Sequence, residues 1–154
     1  MKENIPIEEL CWAAGIIDGE GCISIHRRHS ATDKKLNHSP YYRLDLKVKM
    51  VHKPAIERLM NIFGVGNLHR SLPGKRSRRM LWRWDITGNQ CINVLQLIRP
   101  YLVVKSKEAD IAGEFMPLNV KTTFGKRKIS EETLNKRQTI YQQMRDVKQY
   151  EWTE

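Results

Sequence analysis

The sequence predicts an α+β domain in which helices cover one face of a curved, four-stranded antiparallel sheet. Three observations lead to this fold class. Apolar and polar residues alternate in two long segments, as is typical of strands with one buried face. Other segments carry apolar residues at the spacing of amphipathic helices. Glycine and proline mark the boundaries, and the resulting order is helix, two strands, helix, two strands and helices, or αββαββα.

The first half of the chain is predicted to hold one helix and one pair of strands. Residues 7–19 form the helix, which follows Pro6 at a position where a missing backbone donor costs little. Residues 22–28 and 42–50 form the strands, and the polar, basic link at 29–40 is expected to be a long hairpin loop. The second strand alternates most clearly, with one face formed by Leu44, Leu46, Val48 and Met50.

The second half repeats this order. Apolar residues at helical spacing predict a helix over 54–63, which ends at Gly64-Val65-Gly66. A strand at 67–71 is followed by a turn at Leu72-Pro73-Gly74 and a fourth strand at 78–87. The remaining elements are helices over 90–98 and 106–116, a linker at 118–129, and a polar C-terminal helix that begins at Ser130.

Length and charge limit the domain number and the partner. With 154 residues, the chain is expected to form one domain over 1–154, with a core at 7–116 and a linker and C-terminal helix at 117–154. The net charge of +10 favours a polyanionic partner, more often nucleic acid than a membrane. No apolar run approaches the roughly 20 residues of a membrane span, and the N-terminus lacks the apolar segment of a secretory signal. We therefore expect an intracellular protein, in the host cytoplasm, a mitochondrion or a chloroplast, that is neither secreted nor bound to a membrane.

The cysteine and histidine pattern indicates no transition-metal centre. The chain has an odd number of cysteines without CxxC spacing, namely Cys11, Cys22 and Cys91, and this pattern favours reduced, intracellular thiols. The histidines form no HxxxH pair, and neither a Gly-rich phosphate loop nor a GxSxG nucleophile turn occurs. Hydrolysis of a phosphodiester, with a hard cation held by carboxylates, is the reaction class that remains best supported.

The face of the predicted sheet that lies opposite the core is strongly basic. A solvated face is common in antiparallel sheets, but such a face usually mixes charges of both signs, whereas basic groups far outnumber acids here. A cationic sheet of this width fits the major groove of DNA, where alternating side chains reach the base edges. The candidate DNA-binding residues are Ser24, His26, Arg28, Arg43, Asp45, Lys47, Lys49, His69, Arg79 and Arg83.

Residues 13–21 read Ala-Ala-Gly-Ile-Ile-Asp-Gly-Glu-Gly and carry most of the functional information. Gly15 and Gly19 are four residues apart and share one helical face, which Cys11 extends by one turn. Small residues on an apolar helix usually indicate ordinary tight packing in a core. Alternatively, two such helices pack backbone to backbone, with Cys11, Gly15 and Gly19 at the interface. This packing would bring two helix ends and their carboxylates side by side, at a geometry suited to a divalent metal.

This stretch resembles the motif of the LAGLIDADG homing endonucleases, with Ile16 and Ile17 in the apolar positions. Gly64-Val65-Gly66, and Pro100-Tyr101-Leu102 followed by Lys105, are also similar to members of the family that carry a single motif. The resemblance covers roughly residues 7–116.

The resemblance implies roles for individual residues. Glu20 stands at the position of the catalytic acid, where it replaces an aspartate, and it is expected to bind the metal together with the backbone carbonyl of Gly19. Lys105 matches a basic residue at the periphery of the active site. His52 and Lys53 stand near the place of a glutamine at the end of the second strand, and both are candidate catalytic residues.

The resemblance also implies the activity. A homodimer would hold Mg²⁺ or Mn²⁺, with no small-molecule cofactor, and hydrolyse both strands of a long, pseudo-palindromic DNA duplex. The gene of such an enzyme lies within an intron or another mobile insertion. Asp18 is expected to accept hydrogen bonds at the helix end rather than to act as a second base. Two alternatives remain open, namely an RNA-binding maturase for intron splicing and a non-cleaving DNA-binding protein of the same fold.

Overall fold

The computed structural model describes residues 4–35, 38–72, 79–118 and 129–149. Its helices and strands, in chain order, are α1 (Ile7–Glu20), β1 (Gly21–Arg28), α2 (Ala31–Lys35), β2 (Tyr41–Met50), α3 (Lys53–Phe63), β3 (Asn67–Ser71), β4 (Leu81–Thr87), α4 (Gly88–Ile98), α5 (Ser106–Phe115) and α6 (Glu131–Asp146). Short 3-10 helices at Arg99–Tyr101 and Met116–Leu118 lie before and after α5. This order confirms the α+β fold, and none of the described helices is long and apolar enough to cross a bilayer.

The four strands form one antiparallel sheet in the order β1-β2-β4-β3, so that β1 and β3 lie at its edges. β1 pairs with β2 from Gly21 opposite Val48 to Arg28 opposite Tyr41. Because the start of β1 lies beside the end of β2, the end of α1 and the beginning of α3 meet at the same end of the sheet.

A hydrophobic core lies between one face of this sheet and the helices. The predicted alternation in β2 holds, because Leu44, Leu46 and Val48 are completely buried. Trp84 of β4 stacks on Phe63 of α3, with ring centroids 5.7 Å apart. The face of α1 that joins the core is formed by Leu10, Ala13, Ala14 and Ile17.

The turn Gly64-Val65-Gly66 ends α3 as predicted. Gly64 adopts a left-handed conformation with φ 64°, and its N–H donates to the carbonyl of Met60. Val65 accepts a hydrogen bond of 2.9 Å from the indole N–H of Trp84. Gly66 has φ 97°, and a Cβ at this position would collide with the Trp84 ring. The turn therefore needs glycine at both positions, and at Gly66 for steric as well as conformational reasons.

The link predicted as a long hairpin loop over residues 29–40 does connect the antiparallel pair β1 and β2, but it contains the short helix α2, so the prediction of a loop without a helix was wrong. The backbone N–H of Ser30 donates to the Asp33 carboxylate at 2.9 Å, and the N–H of Asp33 donates to the Ser30 hydroxyl at 3.1 Å. This reciprocal capping, comparable to a capping box, satisfies backbone donors that a single helical turn otherwise leaves open.

The fourth strand begins at Leu81, later than the predicted residue 78. The physical reason is the length of its partner, because β3 ends at Ser71, which pairs with Leu81. Pro73 and Gly74 of the predicted turn lie in the range 73–78, outside the described residues.

The C-terminal helix begins after Ser130, whose hydroxyl accepts a hydrogen bond from the N–H of Thr133 at 3.3 Å. Arg137 of α6 is buried and donates through Nε to the carbonyl of Leu118 at 2.9 Å. Tyr42 of β2 donates to the side chain of Gln138 at 2.6 Å. These contacts attach α6 to the end of α5 and to the sheet. Most of the predicted linker, residues 119–128, lies outside the described residues.

We expect Gly66→Ala to lower the free energy of unfolding by about 2–4 kcal/mol, because it adds backbone strain and a collision with Trp84. Gly113→Ala is the matched control, since Gly113 lies within α5 and an added Cβ there meets nothing within 4 Å. Alanine inside a helix should stabilise by about 0.5–1 kcal/mol. Urea denaturation of both variants measures the difference, and equal stabilities would contradict this account of the turn.

Candidate functional site

The end of α1 presents Glu20 directly at the start of the sheet. α1 ends at Glu20 and β1 begins at Gly21, so that no loop separates the helix from the strand. The N–H of Gly21 donates to the carbonyl of Ile17, and a Cβ at Gly21 would lie 2.5 Å from that oxygen. The chain can therefore turn this sharply only with glycine at this position. The Glu20 side chain is exposed in the last turn of the helix.

Asp18 attaches this helix end to a segment far along the chain. Its carboxylate oxygens accept hydrogen bonds from the backbone N–H groups of Val103, at 2.7 Å, and Lys105, at 2.9 Å. The ammonium group of Lys105 donates to the backbone carbonyl of Asp18. The prediction that Asp18 accepts hydrogen bonds at the helix end is confirmed. The same contacts bring Lys105 to the helix end that carries Glu20.

The pKa of the Asp18 carboxyl lies below its ordinary value. Burial by itself raises this pKa, but the hydrogen bonds from the backbone N–H groups of Val103 and Lys105 outweigh burial. The positive charge of Lys105 acts in the same direction. Asp18 is therefore ionised at neutral pH, and hydrogen bonds to a charged acceptor are stronger than those to a neutral one. Its role is to hold the segment at 103–105 in place.

The donor set at the end of α1 fits a hard cation. Glu20 offers an exposed carboxylate, and the last carbonyls of a helix, among them that of Gly19, lack donors within the helix. Mg²⁺ and Mn²⁺ prefer such oxygen ligands, and the helix dipole places partial negative charge at this end. Within the described parts of the chain, no three His, Cys, Asp or Glu side chains lie close enough together to hold a metal ion.

A stripe of exposed residues runs along the side of α1 that faces away from the core. Cys11, Gly15 and Gly19 are exposed and follow one another at intervals of four residues, which places them on one helical face. We call this surface the α1 stripe. Ile7, 63% exposed, continues it towards the helix start, and Val103, 81% exposed, lies beside its other end. The structure thus leaves the three predicted interface residues uncovered in the single chain.

His52 and Lys53 lie at the end of the sheet from which Glu20 projects, but the structure gives them other contacts. His52 caps α3, and its Nδ1 accepts a hydrogen bond from the N–H of Ala55 at 3.3 Å. The Lys53 ammonium lies 2.5 Å from a carboxylate oxygen of Glu57. Among the described residues, neither side chain is hydrogen-bonded to Glu20. Their catalytic assignment stays a prediction.

The open face of the sheet carries most of the predicted DNA-binding residues side by side, whereas Arg79 precedes β4 and lies outside the strands, because β4 begins only at Leu81. The register pairs His26 with Arg43 across β1 and β2, and Lys49 with Arg83 across β2 and β4. His69 of β3 lies on the other side of Arg83. The exposed members are His26, Arg28, Arg43, Lys49, His69 and Arg79, and the half-buried members are Ser24, Lys47 and Arg83.

Asp45 differs from the rest of this set, because the structure buries it beneath the face that the sequence predicted it to join. Its side chain is completely inaccessible to solvent. Burial by itself raises the pKa of Asp45, but hydrogen bonds from Arg43 and Lys47 hold this pKa below its ordinary value. Asp45 is therefore an ionised carboxylate that is not accessible for a direct contact with DNA.

A second carboxylate, which the sequence-based set omits, has a similar position between β3 and β4. Asp85 lies 3.0 Å from Nε of Arg83 and 3.1 Å from Nε2 of His69. The sequence did indicate that each of these two acids would lie beside an arginine on the open face. Arg43 and Asp45, and likewise Arg83 and Asp85, are two residues apart in a strand, which places each pair on the same face.

Comparison with known proteins agrees with this architecture. A family model described as LAGLIDADG endonuclease matches residues 13–115. The homing endonuclease I-CvuI, solved in complex with its target, aligns with a TM-score of 0.73 and 17% identity over 96% of this chain and 86% of that chain. The group I intron-encoded homing endonuclease I-CeuI, complexed with DNA, has a TM-score of 0.67 and 19% identity over 94% of this chain and 69% of that chain. I-LtrWI, bound to target DNA, has a TM-score of 0.66 and 21% identity over 94% and 46%. No curated protein sequence matches the chain significantly.

We expect acid to destabilise the wild-type chain more than Asp18→Asn. The folded pKa of Asp18 lies below the ordinary 3.8, so the stability that its ionised form contributes is fully present above that value. It is lost as the pH falls below 3.8 through the folded pKa. At about pH 7 the variant should melt at a lower temperature, because one amide oxygen replaces two acceptors. Melting curves should show this gap narrowing towards about pH 3, and a constant gap would contradict the assignment.

Proposed function

Because the chain belongs to the LAGLIDADG endonuclease family, we propose that it is a homing endonuclease that hydrolyses both strands of a long, pseudo-palindromic DNA duplex as a homodimer. The observation that carries this proposal is the exposed Glu20 carboxylate, which stands at the end of α1, where Lys105 is attached, and next to a basic sheet face. The family membership supports nuclease chemistry at this helix end, and the basic face supports a duplex partner.

The proposed dimer joins two copies of the α1 stripe. An added Cβ at Gly15 or Gly19 meets nothing within 4 Å in the same chain, so the fold of one chain does not require glycine at either position. Glycine inside a helix nevertheless costs about 0.5–1 kcal/mol relative to alanine. A second helix that packs at close range would explain why glycine is present despite this cost, because a larger side chain would hold the two helices apart. The twofold axis of such a dimer would place the two Glu20 side chains next to each other.

A divalent cation, Mg²⁺ or Mn²⁺, is the proposed cofactor, and the residues that would hold it are Glu20 and the carbonyl of Gly19. When bound, such an ion supplies an activated water and stabilises the leaving oxygen of the phosphodiester. Glu20 is suited to hold the ion because its carboxylate is exposed in the last turn of the helix, where solvent and a substrate phosphate have access.

Lys105 is proposed to offset the negative charge that develops on the phosphate. Its backbone is attached to Asp18, so that the ammonium has only to leave the Asp18 carbonyl to reach the substrate. His52 is proposed as a hydrogen-bond donor to the substrate. Because its Nδ1 accepts the hydrogen bond from Ala55, the neutral ring carries its proton on Nε2. Lys53 would add positive charge in the same region.

The open sheet face is the proposed DNA-reading surface. Its exposed cations lie on alternate positions of adjacent strands, as side chains that reach base edges in a major groove would. The net charge of +10 supports contacts to phosphates along the rest of the duplex.

Selection of cleaved sites from a randomised duplex library, in buffer with Mg²⁺, tests the proposed function. We expect both strands to be cut within targets that contain two related half-sites, and chelation of the metal with EDTA to abolish cutting. Sequence-selective binding without cutting would instead favour a non-cleaving DNA-binding protein. Tight binding of structured intron RNA, again without DNA cutting, would favour a maturase.

We expect Glu20→Gln to slow cleavage by at least about a hundredfold while DNA affinity stays within a few-fold of wild type, because the change removes a charged metal ligand and leaves the sheet face intact. Glu8→Gln, the same change in the first turn of the same helix, is the control and should cut normally. Single-turnover cleavage and binding assays measure both quantities. Cleavage by Glu20→Gln within tenfold of wild type would exclude Glu20 as the catalytic acid.

We expect Gly15→Leu to produce a folded monomer. Gly15 is exposed and an added Cβ meets nothing within 4 Å in the single chain, whereas overpacking a close interface costs about 1–3 kcal/mol, and the residue occurs twice in a homodimer. Gly113→Leu is the control, because Gly113 is also a helical glycine with open space around its Cβ. Sedimentation velocity over a range of protein concentrations measures the association. A Gly15→Leu variant that remains dimeric would remove the α1 stripe from the interface.

A further inference from the structure

The open sheet face contains a charge that is unexpected on a surface for binding DNA, namely the buried carboxylate of Asp45. Its Oδ1 accepts from Nε of Arg43 at 2.8 Å, and its Oδ2 accepts from Nη2 of the same guanidinium at 3.1 Å. Oδ2 also lies 2.9 Å from the ammonium of Lys47 and 3.2 Å from Nε2 of His26. One carboxylate thus contacts three of the predicted DNA-binding side chains.

The register of the strands explains why these four residues meet. Arg43, Asp45 and Lys47 alternate with buried residues along β2 and therefore share its open face. Asp45 pairs with Ser24 of β1, and His26 is the next residue of β1 on that face. Hence Asp45 lies at the centre of the group, with partners along its own strand and on the neighbouring one.

The two hydrogen bonds from Arg43 fix the orientation of its guanidinium as well as its position, since the planar group meets both carboxylate oxygens. The remaining N–H donors of the guanidinium stay available to a ligand. Asp45 itself is 0% exposed and, as an anion, would repel the phosphates of DNA. Its presence weakens the general attraction for DNA while it limits the motion of its neighbours.

We propose that Asp45 is a positioning residue for base recognition, which holds Arg43, Lys47 and His26 in one arrangement before DNA binds and so determines the base preference beneath them. This inference rests on the proposed DNA-cleaving function. Side chains that are already ordered lose less conformational entropy on binding, and an arrangement that is set in advance fits one pattern of base edges better than others.

Two other cations of the same face are not held in this way by any carboxylate that the structure describes. Among the described residues, Arg28 and Lys49 are exposed and have no carboxylate partner. They can follow the phosphate backbone of many sequences. The effect of Asp45 is therefore confined to the base pairs beneath the centre of β1 and β2, at symmetry-related positions in the two half-sites.

Asp45→Asn is the decisive variant, because it removes the charge with little change in volume. We expect its cleaved-site profile to lose about tenfold or more discrimination at one pair of symmetry-related positions, while non-specific affinity stays equal or rises. Asp85→Asn is the matched control, since Asp85 holds Arg83 and His69 on the other side of the sheet. Its profile should change at different positions.

The inference is overturned if folded Asp45→Asn selects the same sites as wild type, or if it changes the same positions as Asp85→Asn. A wild-type chain without sequence selectivity would overturn the proposed function, and this inference with it. Should Asp45→Asn fail to fold, NMR of the wild-type protein decides. We expect the Nε–H signal of Arg43 in DNA-free protein to exchange slowly with water, and exchange as fast as that of a solvated arginine would overturn the inference.

Discussion

The hydrogen bonds from the backbone of residues 103 and 105 to the Asp18 carboxylate are the interaction on which the functional end of this protein depends. They join Asp18 to residues that lie 85 and 87 positions later in the chain, and they fix that later segment against the end of α1. Glu20 follows two residues later, and the sharp turn at Gly21 places it at the start of the sheet. A single ionised side chain thus determines where Lys105 lies relative to the carboxylate at the helix end.

The same physical device recurs on the sheet face. Asp18, Asp45 and Asp85 each accept hydrogen bonds or lie in ion pairs with donors from other positions of the chain. The chain has 17 acidic residues against 27 Lys and Arg, and these three acids organise backbone or basic side chains. An ionised carboxylate is suited to this task because it accepts several short hydrogen bonds at once, and each is stronger than a bond to a neutral oxygen.

The fold could be predicted from the sequence because its longer elements, among them β2, α3 and α4, each have one buried face. The alternation along β2 and the glycines of the turn after α3 identify their elements by local pattern alone. The capped turn at Ser30 was missed because its signal spans only four residues within a polar segment. The start of β4 depends on where its partner β3 ends, and no local pattern in β4 contains that information.

The candidate site was predictable to a different degree. Glu20 and Lys105 were assigned from the resemblance to the family. The contact that brings them to the same helix end joins the Asp18 carboxylate to the backbone of residues 103 and 105, which a sequence pattern does not reveal. Asp45 was assigned to the correct face and the wrong depth. Alternation tells which side of a sheet a side chain faces, whereas its depth depends on the long neighbours that fold over it, here Arg43 and Lys47.

The direct passage from α1 into β1 also couples two properties that most proteins control separately. With no loop at Gly21, the last turn of the helix passes directly into the first strand. In the proposed dimer, the angle at which the two α1 helices cross would therefore set the distance between the two sheets along the duplex. Substitutions on the α1 stripe would then act on the spacing of the half-sites, and substitutions on the sheet would act on the bases within each half-site. Target length and target sequence could in this way evolve through different residues of the same small chain.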